Sequence, residues 1–194
     1  MKTILVTGGA GFIGSHTVVE LLDGGYGVVV VDDLVNSCEE ALRRVRKITG
    51  KDFKFYNADV RDREAMEKIF SENDISAVIH FAGLKAVGES CRKPLEYYDN
   101  NIYGTLVLLE TMRAHDVKTI VFSSSATVYG VPERLPLDES CRTGGVTNPY
   151  GATKYYLEGI LTDVWKADNS WNVILLRYFN PVGCLLYTSD AADH

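Results

Sequence analysis

The sequence contains few cysteines, no long apolar run and no excess of basic residues. Its four cysteines, Cys38, Cys91, Cys141 and Cys184, are widely scattered, and no pair has metal-ligand spacing or suggests a disulfide framework. No apolar stretch reaches the length of a membrane span, and the N-terminus lacks the layout of a signal peptide. A formal net charge of −6 argues against a basic nucleic-acid-binding face. These absences favour a cytoplasmic protein with reduced thiols and no metal, membrane or nucleic-acid site.

The sequence does contain enough apolar residues for a sizeable core, and they fall in alternating strand-like and helix-like segments. Hydrophobic residues make up 46% of the 194 residues. Strands are predicted at 4–6, 28–31, 53–56, 76–81, 119–122 and 172–178, and helices at 15–22, 39–49, 62–71, 94–115 and 149–167. The helix over 94–115 is expected either to be continuous or to be broken near its start. Strands that alternate with helices indicate parallel β-α-β units with right-handed crossovers. The predicted fold class is therefore α/β, with a doubly wound parallel sheet.

A glycine-rich turn lies between the first predicted strand and the first predicted helix. Gly8, Gly11 and Gly14 are spaced three residues apart. Gly8 suits a tight turn, Gly11 lets a pyrophosphate approach the main chain, and Gly14 lets the helix pack close to the strand. The free N–H groups of the helix start would face the phosphates. The turn predicts a dinucleotide site, although a glycine turn can also join two elements and bind nothing.

The second predicted strand ends in Asp32, close to the distance after the glycines at which a ribose-binding carboxylate is expected. A carboxylate there accepts hydrogen bonds from the ribose hydroxyls and repels a 2′-phosphate. NAD is therefore favoured over NADP as the cofactor.

Other strand ends carry small, polar or acidic residues, and parallel strands bring their carboxyl ends to one edge of the sheet. Asp59 could contact the adenine amino group and Val60 the edge of its ring. The pair Ala82 and Gly83 would let a cofactor lie against bare backbone.

A tyrosine and a lysine four residues apart form the candidate catalytic pair. Tyr150 and Lys154 share one face of a predicted helix. An ammonium beside the phenol favours the phenolate and lowers its pKa, which would make Tyr150 a base for a hydroxyl proton as hydride leaves the same carbon. Ser125, at the end of the fifth strand, could hydrogen-bond that hydroxyl. The Tyr-x-x-x-Lys spacing also arises by chance on exposed helices, so this prediction depends on the serine run and the glycine turn.

Five segments together resemble the extended short-chain dehydrogenase/reductase family with its Rossmann fold, and within it the UDP-hexose 4-epimerases. They are residues 6–17, 80–90, 94–101, 123–130 and 176–183. The resemblance implies that bound NAD⁺ takes hydride from C4 of a UDP-hexose while Tyr150 takes the O4 proton. The 4-keto sugar turns over and hydride returns to its other face, which interconverts UDP-glucose and UDP-galactose. The resemblance also implies a homodimer for the full-length protein.

The resemblance further implies which residues line the two ligands. Besides the glycines, the cofactor residues are Phe12, Ile13, Asp32, Asn36, Ser37, Asp59, Val60, Phe81, Ala82, Gly83, Lys85, Asn100, Ser123, Tyr150, Lys154 and Tyr178. The substrate residues are Lys85, Ser125, Tyr150 and Asn180.

The resemblance stops at Gly183. Residues 1–183 are expected to form the NAD-binding domain with the catalytic residues. Residues 184–194 are expected to be a tail that is foreign to the family, for example a sequencing artefact. The family's C-terminal substrate domain is expected to be missing, so an inactive NAD-binding fragment is one alternative. A nucleotide-sugar dehydratase or decarboxylase is another. A dehydratase needs an Asp-Glu pair just after Thr127, where this sequence has Val128 and Tyr129.

Overall fold

Six parallel strands form one sheet in the order β3-β2-β1-β4-β5-β6 in the computed structural model, which describes residues 1–183. The strands are β1 (Thr3–Thr7), β2 (Gly27–Asp32), β3 (Lys54–Asn57), β4 (Ile75–His80), β5 (Thr119–Ser125) and β6 (Asn172–Tyr178). The chain crosses from one half of the sheet to the other in the connection from β3 to β4, so the strand order reverses between β1 and β4. A crevice therefore opens beyond the carboxyl ends of these two strands, where ligands bind in doubly wound sheets.

The helices cover both faces of the sheet. They are α1 (Phe12–Asp23), α2 (Glu39–Thr49), α3 (Arg63–Ser71), α4 (Val87–Arg92), α5 (Pro94–Tyr97), α6 (Gly104–Ala114) and α7 (Pro149–Ala167). A π-helical segment, Tyr98–Tyr103, joins α5 to α6, and a short 3₁₀ helix covers Ala126–Tyr129.

Alternate residues of the central strands enter two separate cores. Ile4 and Val6 pack with α1 and α2 on one face, whereas Leu5 packs with α3, α6 and α7 on the other. Side chains of a strand point to opposite faces in turn, so a strand that is covered on both sides is apolar throughout. This is why the central residues of β1 and β2, 4–6 and 28–31, are apolar without interruption.

The predicted fold class is confirmed, as are all six strands and the segments predicted to be helical. The bounds of α7 and β6 match the prediction at both ends. Asp62 caps α3 through a hydrogen bond from the Ala65 N–H. Residues 184–194, predicted to be a foreign tail, lie outside the described residues.

Two local features add to the sequence expectation. The helical segment over 94–115 is broken near its start, which was one of the two expected alternatives, and the break takes the form of the π-helical segment. The short helix α4 was not predicted, since its six residues include Gly88 and show no clear apolar period.

Neither a membrane-crossing helix nor a metal-binding cluster occurs in the part of the chain that the structure describes. No helix within residues 1–183 has the length and apolar character that a span requires. No group of three or more His, Cys, Asp or Glu side chains in the same range could hold a metal ion.

Candidate active site

The glycine turn after β1 packs too closely for side chains. Gly8 has φ of +68°, and a Cβ on it would lie 2.7 Å from the Ala82 nitrogen at the end of β4. A Cβ on Gly14 would overlap the Gly8 carbonyl oxygen. The tight turn at Gly8 and the close packing at Gly14 match the sequence prediction, and the structure adds a direct backbone contact between the turn and the end of β4.

The start of α1 is open to an anion. Gly11 is the N-cap residue and has no side chain to cap the helix, and the first turn carries no acidic residue. The 12-residue helix begins directly at the crevice between β1 and β4. Uncapped N–H groups and the positive end of the helix dipole suit a phosphate.

Asp32 joins the glycine turn to the loop that follows β2. Its buried carboxylate accepts hydrogen bonds from the Ala10 N–H at 2.9 Å, the Leu34 N–H at 3.0 Å and the Ser37 hydroxyl at 2.6 Å. Asn36, beside Ser37 in the same loop, is exposed. The sequence predicted only a ribose-binding role for Asp32, and the structure adds a role in holding the glycine turn in place.

Asp59 at the end of β3 is bound by an arginine that sequence reasoning missed. Arg61 donates to both Asp59 oxygens through its guanidinium and also through its backbone N–H. The same side chain pairs with Asp99 of the π-helical segment. These hydrogen bonds hold the pKa of Asp59 below its usual value. No sequence pattern signals the pair of Arg61 with Asp99, since these two residues lie 38 positions apart.

Val60 is buried in the core rather than lining an open surface. A Cβ on Gly104 would lie 2.9 Å from its Cγ2 atom. The predicted contact of Val60 with an adenine ring stays a prediction.

The loop after β4 carries four of the predicted cofactor residues, Phe81, Ala82, Gly83 and Lys85. The Leu84 N–H donates to the side-chain oxygens of Asn101 at 2.8 Å and Asn100 at 3.3 Å. Asn100 thus lies against this loop, as its predicted role requires. Lys85 is exposed beside it.

A buried histidine lies beneath the crevice. His80 at the end of β4 bonds to Thr7 Oγ1 through Nδ1 at 2.6 Å and to Thr105 Oγ1 through Nε2 at 2.9 Å. The Thr105 hydroxyl donates to the Asn101 carbonyl, so it accepts from His80, whose proton is then on Nε2. Burial lowers the pKa of His80 to about 3 and keeps it neutral.

The structure brings the three predicted catalytic residues together at the end of β5 and the start of α7. Asn148 caps α7 by accepting from the Gly151 N–H at 2.8 Å, and Pro149 occupies its first turn. Lys154 is 5% exposed and donates from Nζ to the Ser123 carbonyl at 2.8 Å. This Nζ atom lies 6.0 Å from the centroid of the Tyr150 ring.

The acid-base balance of the pair differs from the expectation. Burial raises the pKa of Tyr150 and outweighs the lowering effect of a hydrogen bond with Ser125. Burial also lowers the pKa of Lys154 to about 8. The predicted lowering of the Tyr150 pKa is therefore wrong for this arrangement, because both groups lose hydration and desolvation disfavours their charged forms.

A buried ion pair behind this site was also missed. Glu158, one helical turn beyond Lys154, receives two hydrogen bonds from Arg177 of β6 at 2.9 and 2.8 Å. It also accepts from the Ser124 hydroxyl, and Arg177 donates to Tyr129 at 3.0 Å. The network fixes α7 against the ends of β5 and β6. A charge in the apolar face of a helix is the one sequence signal that could have found Glu158.

The last two predicted site residues lie at the end of β6. Tyr178 is half-buried and pairs in register with Ser125. Asn180 is exposed just after the strand. All the predicted site residues thus follow or end strands of one sheet, or lie on the helices that border the same edge.

Three features lie at one edge of the parallel sheet: the glycine turn, the start of α1 without a side-chain cap, and the Tyr-Lys pair beside a serine at a strand end. They define a dinucleotide-binding domain of the oxidoreductase type. The chain belongs to the NAD dependent epimerase/dehydratase family, whose profile matches residues 4–192.

Similar proteins agree with this assignment. The chain is 64% identical over 180 residues to a UDP-glucose 4-epimerase of Bacillus subtilis, and the match covers 93% of this chain and 53% of that protein. The mouse UDP-glucose 4-epimerase is 56% identical over 189 residues, which is 94% of this chain and 54% of the mouse protein.

A crystal structure of the Bifidobacterium longum UDP-glucose 4-epimerase in complex with NAD⁺ and UDP superposes with a TM-score of 0.93 at 63% identity. It covers 94% of this chain, which in turn covers 54% of that structure. The chain spans about half the length of the curated relatives it matches. The family resemblance seen in the sequence is confirmed.

Proposed function

We propose that this chain supplies the NAD-binding and catalytic domain of a UDP-glucose 4-epimerase, which interconverts UDP-glucose and UDP-galactose. The observation that carries the proposal is the grouping of Ser125, Tyr150 and Lys154 at the sheet edge that also holds the glycine turn. The identity of 64% to an epimerase of this specificity supports the choice of substrate.

The residues at the sheet edge fit a dinucleotide. The backbone of the glycine turn leaves room for a pyrophosphate at the uncapped start of α1, and Lys85 offers a positive charge near the end of β4. Asp32 favours NAD through its repulsion of a 2′-phosphate. Asp59, Asn100 and Ser123 supply further polar groups along the same edge. When bound, NAD⁺ accepts a hydride from C4 of the sugar and returns it to the opposite face.

The chain's own groups manage the proton. Tyr150 takes the O4 proton as C4 is oxidised and returns it after the 4-keto sugar has turned over. Ser125 hydrogen-bonds the same hydroxyl and orients it toward Tyr150. Lys154 favours the phenolate by its charge, and a bound nicotinamide, positive when oxidised, acts in the same direction and opposes the effect of burial. Asn180 and Lys85 hold the nucleotide-sugar part of the substrate.

Dehydration, the second candidate reaction, is disfavoured by the 3₁₀ helix after β5. A dehydratase needs an acid and a base directly after Thr127. Here Val128 and Tyr129 occupy those positions, and their side chains are 0% and 5% exposed. A buried valine cannot transfer a proton.

The test separates cofactor binding from turnover. The chain is purified and denatured, released NAD is measured, and UDP-galactose conversion is assayed in the same preparation. Bound NAD supports the proposal, and its absence contradicts it. Conversion by this chain would reject the reading as an inactive NAD-binding fragment.

A chimaera tests the substrate. Residues 1–183 replace the corresponding part of the Bacillus subtilis epimerase, with Tyr150→Phe as a matched control that keeps the ring. We expect the chimaera to convert UDP-galactose and the control to bind NAD but lose almost all turnover. A 4-keto-6-deoxy product would instead favour a dehydratase.

We also propose that the full protein works as a cytoplasmic homodimer. Tyr103, Leu106, Tyr156 and Trp165 of the π-helical segment, α6 and α7 are 38 to 50% exposed, which is high for such large apolar side chains. Cys38, Cys91 and Cys141 are free thiols, which suits a reducing compartment. Light scattering of the full-length protein would measure twice the monomer mass.

A further inference from the structure

The side chain of Asn101, in the π-helical segment, connects two parts of the site that are far apart in sequence. Its Nδ2 group donates to the Leu84 carbonyl at 3.0 Å and to the Thr153 hydroxyl at 3.0 Å. Its Oδ1 atom accepts from the Leu84 N–H at 2.8 Å. Asn101 is 3% exposed and Thr153 is fully buried, so water does not compete for these groups. Both N–H bonds of the amide are therefore used, one on each side.

The bond to Thr153 continues to the candidate base. The Thr153 hydroxyl, which accepts from Asn101, donates to the Tyr150 carbonyl at 2.7 Å. On the other side, the two bonds to Leu84 hold the loop that carries Gly83 and Lys85. One amide thus connects that loop with the first turn of α7.

The π-helical segment gives this amide its position. Asn100 and Asn101 are consecutive, yet the Leu84 N–H reaches the side-chain oxygens of both. The wider turn of a π-helix reduces the angle between neighbouring side chains, and such segments occur often at functional sites. A Cβ on Gly83 would lie 3.1 Å from Asn101 Oδ1, so the loop is packed directly on the amide.

We propose that Asn101 is a positioning residue, whose amide holds the first turn of α7, and with it Tyr150, in register with the loop that follows β4. This inference rests on the proposed function, in which Tyr150 is the base and the loop contacts the cofactor. Asn101 itself touches neither the substrate nor the reacting atoms.

The two sides of the amide can be separated by mutation. Thr153→Val keeps the shape of the side chain and removes the two bonds of the hydroxyl, to Asn101 and to the Tyr150 carbonyl, but leaves the bonds to Leu84 in place, whereas Thr153→Ser preserves the hydroxyl. Asn101→Asp removes both N–H donors and so affects the loop as well. Asn73→Asp is a matched control, since Asn73 Nδ2 also makes two hydrogen bonds, to the Ile69 carbonyl and the Tyr56 hydroxyl, away from the site.

Two measurements on the chain distinguish positioning from simple stabilisation. The first is the ionisation of Tyr150 at alkaline pH, followed by NMR of ¹³Cζ-labelled tyrosine, with Tyr150→Phe to assign the signal. The second is the dissociation constant for NAD. Circular dichroism and melting temperature report whether each variant is folded.

We expect Thr153→Val to shift the titration midpoint of Tyr150 down toward the value of about 10 for a hydrated phenol, because a loosened turn admits water. NAD affinity should stay within about twofold of the parent, since the loop is untouched. Asn101→Asp should show the same titration change and bind NAD about tenfold more weakly, as loss of a buried hydrogen bond predicts. Thr153→Ser and Asn73→Asp should match the parent in both measurements.

A Thr153→Val protein that melts at a lower temperature but titrates like the parent would overturn the inference, and so would an equal change in Asn73→Asp. If the parent chain binds no NAD, the proposed function fails. The Tyr150 titration still decides whether Asn101 positions that residue. If Asn101→Asp does not fold, the two Thr153 variants carry the test.

Discussion

At the scale of single residues, burial sets the ionisation of the groups around the crevice. His80, Tyr150 and Lys154 all have a pKa displaced toward the neutral form. At pH 7 His80 and Tyr150 are therefore neutral, whereas Lys154, with a pKa of about 8, still carries most of its charge. Ionising Tyr150 needs a further positive charge. The proposed mechanism supplies that charge through a positive nicotinamide, which would act on Tyr150 when hydride transfer requires it.

His80 should make the chain sensitive to acid. Its pKa is about 3 in the folded chain and about 6.5 when unfolded, so between these values only the unfolded state binds the proton. Stability is then lost as pH falls, by about 2 kcal/mol at pH 5 for this one group. His80→Gln keeps one donor and one acceptor but does not titrate. In urea unfolding at pH 7 and pH 5, the parent should lose more stability than the variant, and parallel losses would contradict the prediction.

Lys154 should affect the stability of the chain at alkaline pH, whereas His80 affects it at acidic pH. Its pKa is lowered to about 8 by burial, against 10.5 in its unperturbed form. Between these values the unfolded state holds the extra proton, so folding becomes more favourable as pH rises. From pH 7 to pH 10 the parent should gain roughly 2 kcal/mol relative to Lys154→Met, measured by denaturant unfolding. A constant difference across this range would show that Lys154 stays hydrated.

At the scale of elements, the sequence predicts best where several local signals agree. Asn148 and Pro149 mark the start of α7, and apolar runs mark the strands, so these bounds come directly from the residues. The π-helical form of the segment after α5 could not be predicted, because its apolar pattern is that of an α-helix. The roles of the site residues themselves stay predictions.

The ion pair of Glu158 with Arg177, beside the site, could not be predicted from the sequence either. Glu158 lies 19 residues from Arg177 and on a different element, so their pairing exists only once β6 has packed beside β5. The sequence shows that both residues are charged and predicts the helix and the strand on which they lie. It does not supply the contact between them.

The Glu158–Arg177 pair predicts a specific pattern of stability. Glu158→Leu leaves the Arg177 guanidinium without its main partner in a largely buried position and should destabilise the chain by about 3 kcal/mol. Combining it with Arg177→Met removes the uncompensated charge, so the double variant should be the more stable of the two. Guanidinium unfolding of both variants and of Arg177→Met alone measures the coupling. Additive losses would show that the two side chains act independently.

At the scale of the whole molecule, two cores lie on opposite faces of one sheet, and the proposed cofactor contacts the ends of strands that belong to both. A dinucleotide at this edge would span the crossover between β1 and β4, and would therefore connect the half of the sheet that carries Asp32 to the half that carries Tyr150. Binding should consequently stabilise the domain as one unit rather than one side of it.

Thermal unfolding with added nucleotide tests this directly. A ligand present at a hundredfold excess over its dissociation constant stabilises the folded state by about 2.7 kcal/mol, which raises the melting temperature of a domain of this size by roughly 5 to 10 °C. NAD should give this rise in a single cooperative transition. NADP at the same concentration should give a much smaller rise, because the Asp32 carboxylate is fixed by three donors and cannot turn away from a 2′-phosphate. Equal stabilisation by both nucleotides would show that Asp32 only holds the turn and does not select the nucleotide. Two separate transitions would show that the halves of the sheet unfold independently.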